Sequence, residues 1–229
     1  MEKIPRVNYN EFKEWNERMI QKYDPEAFHR HSNPFIRFIE RKRVKVILNM
    51  IDPQKDDLII EVGCGAGDVI EKAIRGTLYG VDISSSILNK AKGKMIHLFQ
   101  GDAQYLPCKN GAFSKVICSE VLEHTLSPFS ALNEIDRILK EEGLAIISIP
   151  NESLINRIKI IFIRVGIFRW LFPKMPEKMN DEWHLHIFSL KEWLNLFHKC
   201  FRVIGLRSIP FGGLPLRYVV LLEKREGRD

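Results

Sequence analysis

Four groups of residues in this 229-residue sequence carry chemistry-bearing side chains at regular intervals. The first is "EVGCGAG", Glu61 to Gly67, directly after the apolar run "LII". Glycines let a backbone approach a ligand closely, and the N–H groups of a helix start attract negative charge. The second is Asp82 in "GVDI", 19 residues beyond Gly63. A carboxylate at that interval can accept hydrogen bonds from both hydroxyls of a ribose. The third is Asp102 with Ala103 in "GDA", and the fourth is "CSEVLEH", residues 118 to 124.

These groups suit a nucleotide, but not a dinucleotide. The dinucleotide fingerprint is G-x-G-x-x-G. Here the glycines are Gly63, Gly65 and Gly67, and Asp68 takes the expected place of the third. Glu61 would repel a pyrophosphate and favours an ammonium or sulfonium instead. Asp102 could accept from an adenine amino group. The set therefore points to a single nucleoside with a cationic amino-acid tail. Each acid alone could merely cap a helix or turn. A glycine loop plus acids at successive strand ends is hard to explain that way.

The surrounding elements must place these groups at one edge of a sheet. Residues 35 to 51 have apolar side chains at helical spacing, with Asn33 or Ser32 as cap and Pro34 in the first turn. After that, strand-like runs alternate with helical ones. "DLIIEV", "TLYGVDI", "MIHLFQGD", "FSKVICSE" and "LAIISIPN" read as strands. "DVIEKAIR", "SSSILNKAKGK" and "SPFSALNEIDRILKEEG" read as helices, the last ending at Gly143. Such alternation predicts a parallel sheet covered on both faces, with ligands at the carboxyl ends of its strands. "SLKEWLNLFHKC" is a further helix. "FRVIGLRSIP" and "LRYVVLLEKR" then follow with only "FGGLP" between them, so a hairpin ends the sheet and one strand near its edge is antiparallel.

With these motifs in place ("EVGCGAG", "GVDIS", "GDAQYLP", "FSKVICSEVLEH", "LAIISIPN"), residues 35 to 223 resemble the class I S-adenosylmethionine-dependent methyltransferases, of the broad type that includes the ubiquinone-pathway O-methyltransferases. The resemblance implies an α/β, Rossmann-like, seven-stranded sheet, mostly parallel, with an N-terminal helical cap and a helical insertion after strand five. It implies one domain over residues 1–229: a cap (1–52), a cofactor-binding half (57–150), an insertion or substrate lid (151–186), and a C-terminal helix and hairpin (187–229). The implied cofactor is S-adenosyl-L-methionine. Glu61, Gly63 and Gly65 would lie by its methionine part, and Asp82 with Ile83 by the ribose and adenine. Asp102 and Ala103 would read the adenine, and Ser119 and Glu120 would lie beside the tail. Arg37 would reach the cofactor carboxylate. Glu120, Glu123 and His124 match an E-x-x-E-H that is metal-binding in some relatives and not in others; no metal is expected here. Pro107-Cys108 follows strand three, so it does not match a cytosine C5 nucleophile, and "CSEV" is not an N/D-P-P-Y box.

His124, His184 and His186 are the candidate general bases, since a methyl acceptor must shed a proton. A structural histidine is the plain alternative for each. Four cysteines without a C-x-x-C pair, and no apolar leader in "MEKIPRVNYN", point to reduced thiols and a cytoplasmic setting. The net charge is +6, and residues 155 to 178 hold six basic side chains against one acid, Glu177. That stretch is also rich in Ile, Phe and Trp. It is too short and too charged to span a bilayer. It fits a lid over a small, apolar or lipid-like acceptor, or an interfacial helix in peripheral contact with a membrane through 154–178. A core-packed lid or a subunit contact would also account for it. A small-molecule methyltransferase, with O-methylation favoured, is the expectation; nucleic acid is not the expected partner. The competing reading is an RNA or protein methyltransferase that grips an anionic partner with this basic segment.

Overall fold

A computed structural model describes residues 7–23, 33–73, 75–94, 97–172 and 183–225. Residues 24–32 of the expected cap and 173–182 of the expected insertion lie outside the described residues. One seven-stranded sheet runs through the molecule in the order β3-β2-β1-β4-β5-β7-β6. Its strands are β1 (Leu58–Val62), β2 (Thr77–Asp82), β3 (His97–Gln100), β4 (Phe113–Ser119), β5 (Leu139–Pro150), β6 (Phe201–Phe211) and β7 (Leu214–Lys224). Strands β1 to β5 pair in parallel. β7 pairs antiparallel with both β5 and β6, as the final hairpin required.

The helices are α1 (Phe12–Tyr23), α2 (Pro34–Ile51), α3 (Ser85–Ala91), α4 (Pro128–Ile138), α5 (Glu152–Arg164), α6 (Phe168–Leu171) and α7 (Leu190–Cys200). Short polar side chains start most of them. Asn33, Ser84, Ser127 and Asn151 each accept from a backbone N–H of the first turn. Ser189 and Glu192 cap α7 reciprocally. The period-2 alternation of the strands splits the core into two layers. Ile60, Val62, Val116 and Cys118 face α4 and α7. Ile59, Ile117, Ile146 and Val219 face α2 and α3.

Two local expectations differ. Among the described residues of "DVIEKAIR", the one helical piece is a short 3-10 turn, Ile70–Lys72. It lies between Gly67 and Gly76, both at positive φ. A Cβ on Gly76 would meet Asp57 O at 3.0 Å, so the chain is pinned there and about two turns of length remain. The α4 helix stops at Ile138, and β5 begins at Leu139 rather than after Gly143. Leu139 is buried and pairs with Phe113; the pairing then shifts, and Lys140 to Gly143 bulge before Leu144 meets Lys115. Burial of one leucine thus overrides the helical tendency of "LKEE".

On the α7 side, Phe197 is fully buried and stacks on Trp193 at 6.0 Å between ring centroids. Phe197→Ala is expected to cost about 3–5 kcal/mol of stability. Urea unfolding followed by circular dichroism would show this as a lower midpoint at unchanged slope.

Candidate active site

The glycine loop leaves β1 and is held by its neighbour β2. The N–H groups of Gly63 and Cys64 donate to Val81 O at 2.8 and 3.0 Å. Gly65 N–H donates to Asp82 Oδ2 at 2.9 Å, and Ser84 N–H donates to Asp82 Oδ1 at 2.9 Å. Asp82 therefore ties the loop to the start of α3. Burial pushes its pKa up to about 6, against the lowering effect of those two N–H groups. Gly63 cannot be replaced: its φ is +69°, and a Cβ would lie 2.3 Å from a Val121 methyl. Gly65 has φ +51° and open space where a Cβ would be, so its backbone faces the cavity unobstructed.

That cavity has a volume of about 720 Å³ and extends from the glycine loop to α5 and α6. Seven acids line it (Glu40, Glu61, Asp68, Asp82, Glu120, Glu123, Glu152) against three bases, Arg43, Lys159 and Arg217. A protein with net charge +6 thus surrounds its cavity with negative charge. Such a surface attracts a cation and opposes a pyrophosphate.

One wall is an ion network. Arg43 donates from Nε to Glu40 Oε2 at 3.0 Å and from Nη1 to Ser119 Oγ. Arg217 reaches Glu40 Oε1 at 3.0 Å and Glu120 Oε2 at 2.9 Å. Ser148 Oγ donates to Glu120 Oε1 at 2.6 Å. Glu40 and Arg43 are buried on α2, and, against desolvation, the carboxylates of Glu40 and then Glu120 hold the half-buried Arg217 strongly protonated.

The opposite wall holds Glu123, His124, His184 and Glu152. Glu123 is 1% exposed, and among the described residues neither carboxylate oxygen has a hydrogen-bond partner. Burial, then the nearby Glu120, raises its pKa well above the usual carboxylate range. His124 Nδ1 donates to Trp183 O at 3.1 Å; burial and then His184 hold its pKa well below that of a free imidazole, so it is neutral. His184 Nδ1 lies 2.5 Å from Glu152 Oε1. Ligand atoms of Glu123, His124 and His184 lie within 4.8 Å of one another. Glu120 is not in that group. Its φ is +58°, and Leu122–His124 form a 3-10 turn, so α-helical i, i+3, i+4 spacing does not apply.

Of the residues expected at the site, Glu61, Gly63, Gly65, Asp82, Ser119, Glu120, His124 and His184 all line this cavity. Arg37, Ile83, Asp102, Ala103 and His186 are not among its lining residues. Arg37 is exposed on α2, whose inward face carries Arg43 instead. Ile83 packs under α1 with Phe12 and Trp15. Asp102 Oδ1 accepts from the N–H of Gln104 at 2.9 Å and so closes its own turn. Ala103 is part of the core on the α4 face. His186 Nε2 donates to Thr125 O at 2.8 Å. Sequence reasoning did not single out Glu40, Arg43, Glu152 or Arg217. A signal existed for two of them: Glu40 and Arg43 stand i, i+3 among Ile39, Val44 and Ile47, on the apolar face of α2.

Residues 60–147 match a family model described as a methyltransferase domain. An uncharacterized protein of Methanocaldococcus jannaschii is 32% identical over 59% of this chain and 61% of its own. The mitochondrial ubiquinone biosynthesis O-methyltransferase of Saccharomyces cerevisiae is 25% identical over 76% of this chain and 60% of its own. The chain thus spans about three fifths of the length of these relatives. Among solved structures, a SAM-dependent methyltransferase of Thermotoga maritima shares the fold with a TM-score of 0.65 at 19% identity, covering 93% of this chain and 99% of that one. Residues 60–147 thus match a methyltransferase domain, and the chain's seven-stranded sheet shares the fold of a solved SAM-dependent methyltransferase.

Proposed function

We propose that this chain moves a methyl group from S-adenosylmethionine to an oxygen of a small, lipid-like acceptor. The observation that carries the reading is the continuity of the cavity. It begins at the glycine loop and ends among Ile155, Ile158, Phe162, Phe168, Leu171 and Phe172, so a polar donor and an apolar acceptor can share one chamber. The yeast relative's name, a ubiquinone biosynthesis O-methyltransferase, supports the O-methyl preference and a quinone-like acceptor by analogy.

The residues present fit the cofactor. Gly65 offers an open backbone, Asp82 a carboxylate for ribose hydroxyls, and Glu61, 2% exposed, a negative charge inside the chamber. The unpartnered Glu123 carboxylate adds a second acceptor for a cationic or hydroxyl group. When bound, the cofactor supplies a methyl already activated by its sulfonium. The chain's own task is to orient the acceptor, exclude water and take a proton. His184 is the best-placed base. Its Nδ1 faces Glu152, so a proton held there leaves the Nε2 lone pair for the acceptor hydroxyl. His124, neutral and hydrogen-bonded through Nδ1, presents a second acceptor nitrogen beside it.

His184→Ala is expected to lower kcat by about a hundredfold or more. Binding of S-adenosylhomocysteine, measured by calorimetry, should stay unchanged. Equal losses in both would instead mean that the imidazole merely supports the fold. Asp82 gives a pH dependence. Its folded pKa is raised, so its ionisation costs stability as pH rises from about 4 to about 6. Ribose hydroxyls bond best to the ionised form. Affinity for S-adenosylhomocysteine should therefore fall as pH drops through about 6. Asp82→Asn should weaken binding and flatten that profile; a profile unchanged by the substitution would remove Asp82 from the ribose site.

A further inference from the structure

The outer surface of α5 and α6 is unlike the rest of the molecule. Ile160, Ile161, Ile163, Val165, Ile167 and Trp170 are exposed, Trp170 at 81%. Residues 153 to 172 contain four basic side chains and no acid. On α5, exposed Arg157 and Arg164 are seven residues apart with Ile160 and Ile161 between them, so all four share one face, and Ile161 also lines the cavity at the edge of that face. A helix facing only water would be polar there. The start of α2 adjoins this surface: Asn33 Nδ2 donates to Leu171 O at 3.0 Å. There Phe35 and Phe38 are 47% and 51% exposed, beside the exposed Arg37 and Arg41. Apolar and basic side chains are thus mixed on both elements.

We infer that this face docks on an anionic lipid bilayer. Val165, Ile167 and Trp170 enter the boundary between headgroups and acyl chains, and Arg157 and Arg164 reach the phosphates. Long basic side chains can lie along an apolar surface while their heads stay at the polar layer. Tryptophan favours that interface because its ring is apolar and its N–H is not. A second copy of the chain fits worse, because an isologous contact would set the arginines against one another. Nucleic acid would satisfy the arginines but leave the isoleucines and valine without apolar contact.

The docked helix also separates the bilayer from the chamber. Ile155, Ile158 and Phe162, on the inward side of α5, line the cavity. A lipid-borne acceptor could pass around the helix without crossing bulk water. This part rests on the lipid-like acceptor proposed above; the docking itself does not. Among the described residues no helix is long and apolar enough to cross a membrane, so the contact is with one leaflet.

Vesicle flotation tests the inference, with phosphatidylcholine alone and with phosphatidylcholine mixed with phosphatidylglycerol. The full chain should float with the mixed vesicles. Arg157→Gln with Arg164→Gln should weaken binding about tenfold or more and reduce its salt sensitivity. Val165→Ser with Trp170→Ser should weaken it by a similar factor at low and high salt. All of these positions are exposed, and calorimetry with S-adenosylhomocysteine checks that each variant keeps its cofactor half. Failure to float with intact cofactor binding would overturn the docking and leave the methyltransferase reading untouched. Docking would also be overturned by flotation that ignores the substitutions. It would fall as well if the same variants abolished self-association or RNA binding while vesicles went unbound.

Discussion

The site depends on a network of four charges, two buried (Glu40 and Arg43) and two half-buried (Glu120 and Arg217). Glu40, Arg43, Glu120 and Arg217 come from α2, from the end of β4 and from β7, and each arginine bonds to carboxylates or a hydroxyl of the set. Neither Glu40 nor Arg43 would be stable there alone, because an unpaired buried charge costs several kcal/mol (~3–5 when one partner is removed). Their pairing fixes where α2 crosses the sheet and therefore where the cavity's wall stands. A contrasting pair sits at the other end of the strands, where Lys115 meets Asp57 at 2.6 Å and bonds to Asp52 O. That pair joins the ends of the elements near β1 and lines no cavity described here. The two edges of one sheet thus use similar ionic chemistry for different ends.

The sheet and the cofactor edge were legible in the sequence because both are local patterns. Buried strands show as apolar runs, capped helices as Ser or Asn before a periodic stretch, and the loop as closely spaced glycines. Asp82 and Glu61 are legible because each sits at the end of such a run. The ion network was not legible in the same way. Arg217 and Glu120 are 97 residues apart, and Arg43 and Ser119 are 76 apart; nothing local marks them as partners. Glu40 and Arg43 are visible only as polar intrusions on an apolar helical face. The helical spacing that E-x-x-E-H suggests does not form: Glu120 is at positive φ and its carboxylate bonds to Arg217. The segment after Gly67 misled for a related reason, since helical composition is outweighed by two glycines at positive φ.

Charge is distributed with a clear division. The molecule is basic overall, yet its chamber is lined mostly by acids. Burying several acids together raises the pKa of the least compensated, Glu123, and that energetic tension is relieved by a cation or by a proton. The outside of α5 carries the opposite sign. One helix therefore stands between an interior suited to a positively charged donor and an exterior suited to a negatively charged surface.

The reversal of β7 has a consequence for how such a site can change. Because β7 runs against β5, Arg217, near its beginning, pairs in register with Pro150, near the end of β5. The β6–β7 turn at Gly212 and Gly213 therefore overhangs the same edge as the glycine loop, and Leu214 and Leu216 just after it line the chamber. A change in the length of that turn would reshape the far end of the chamber while β1, β2 and their loop stayed as they are. The hairpin is thus a place where the shape of the chamber's far end can change independently of the glycine loop.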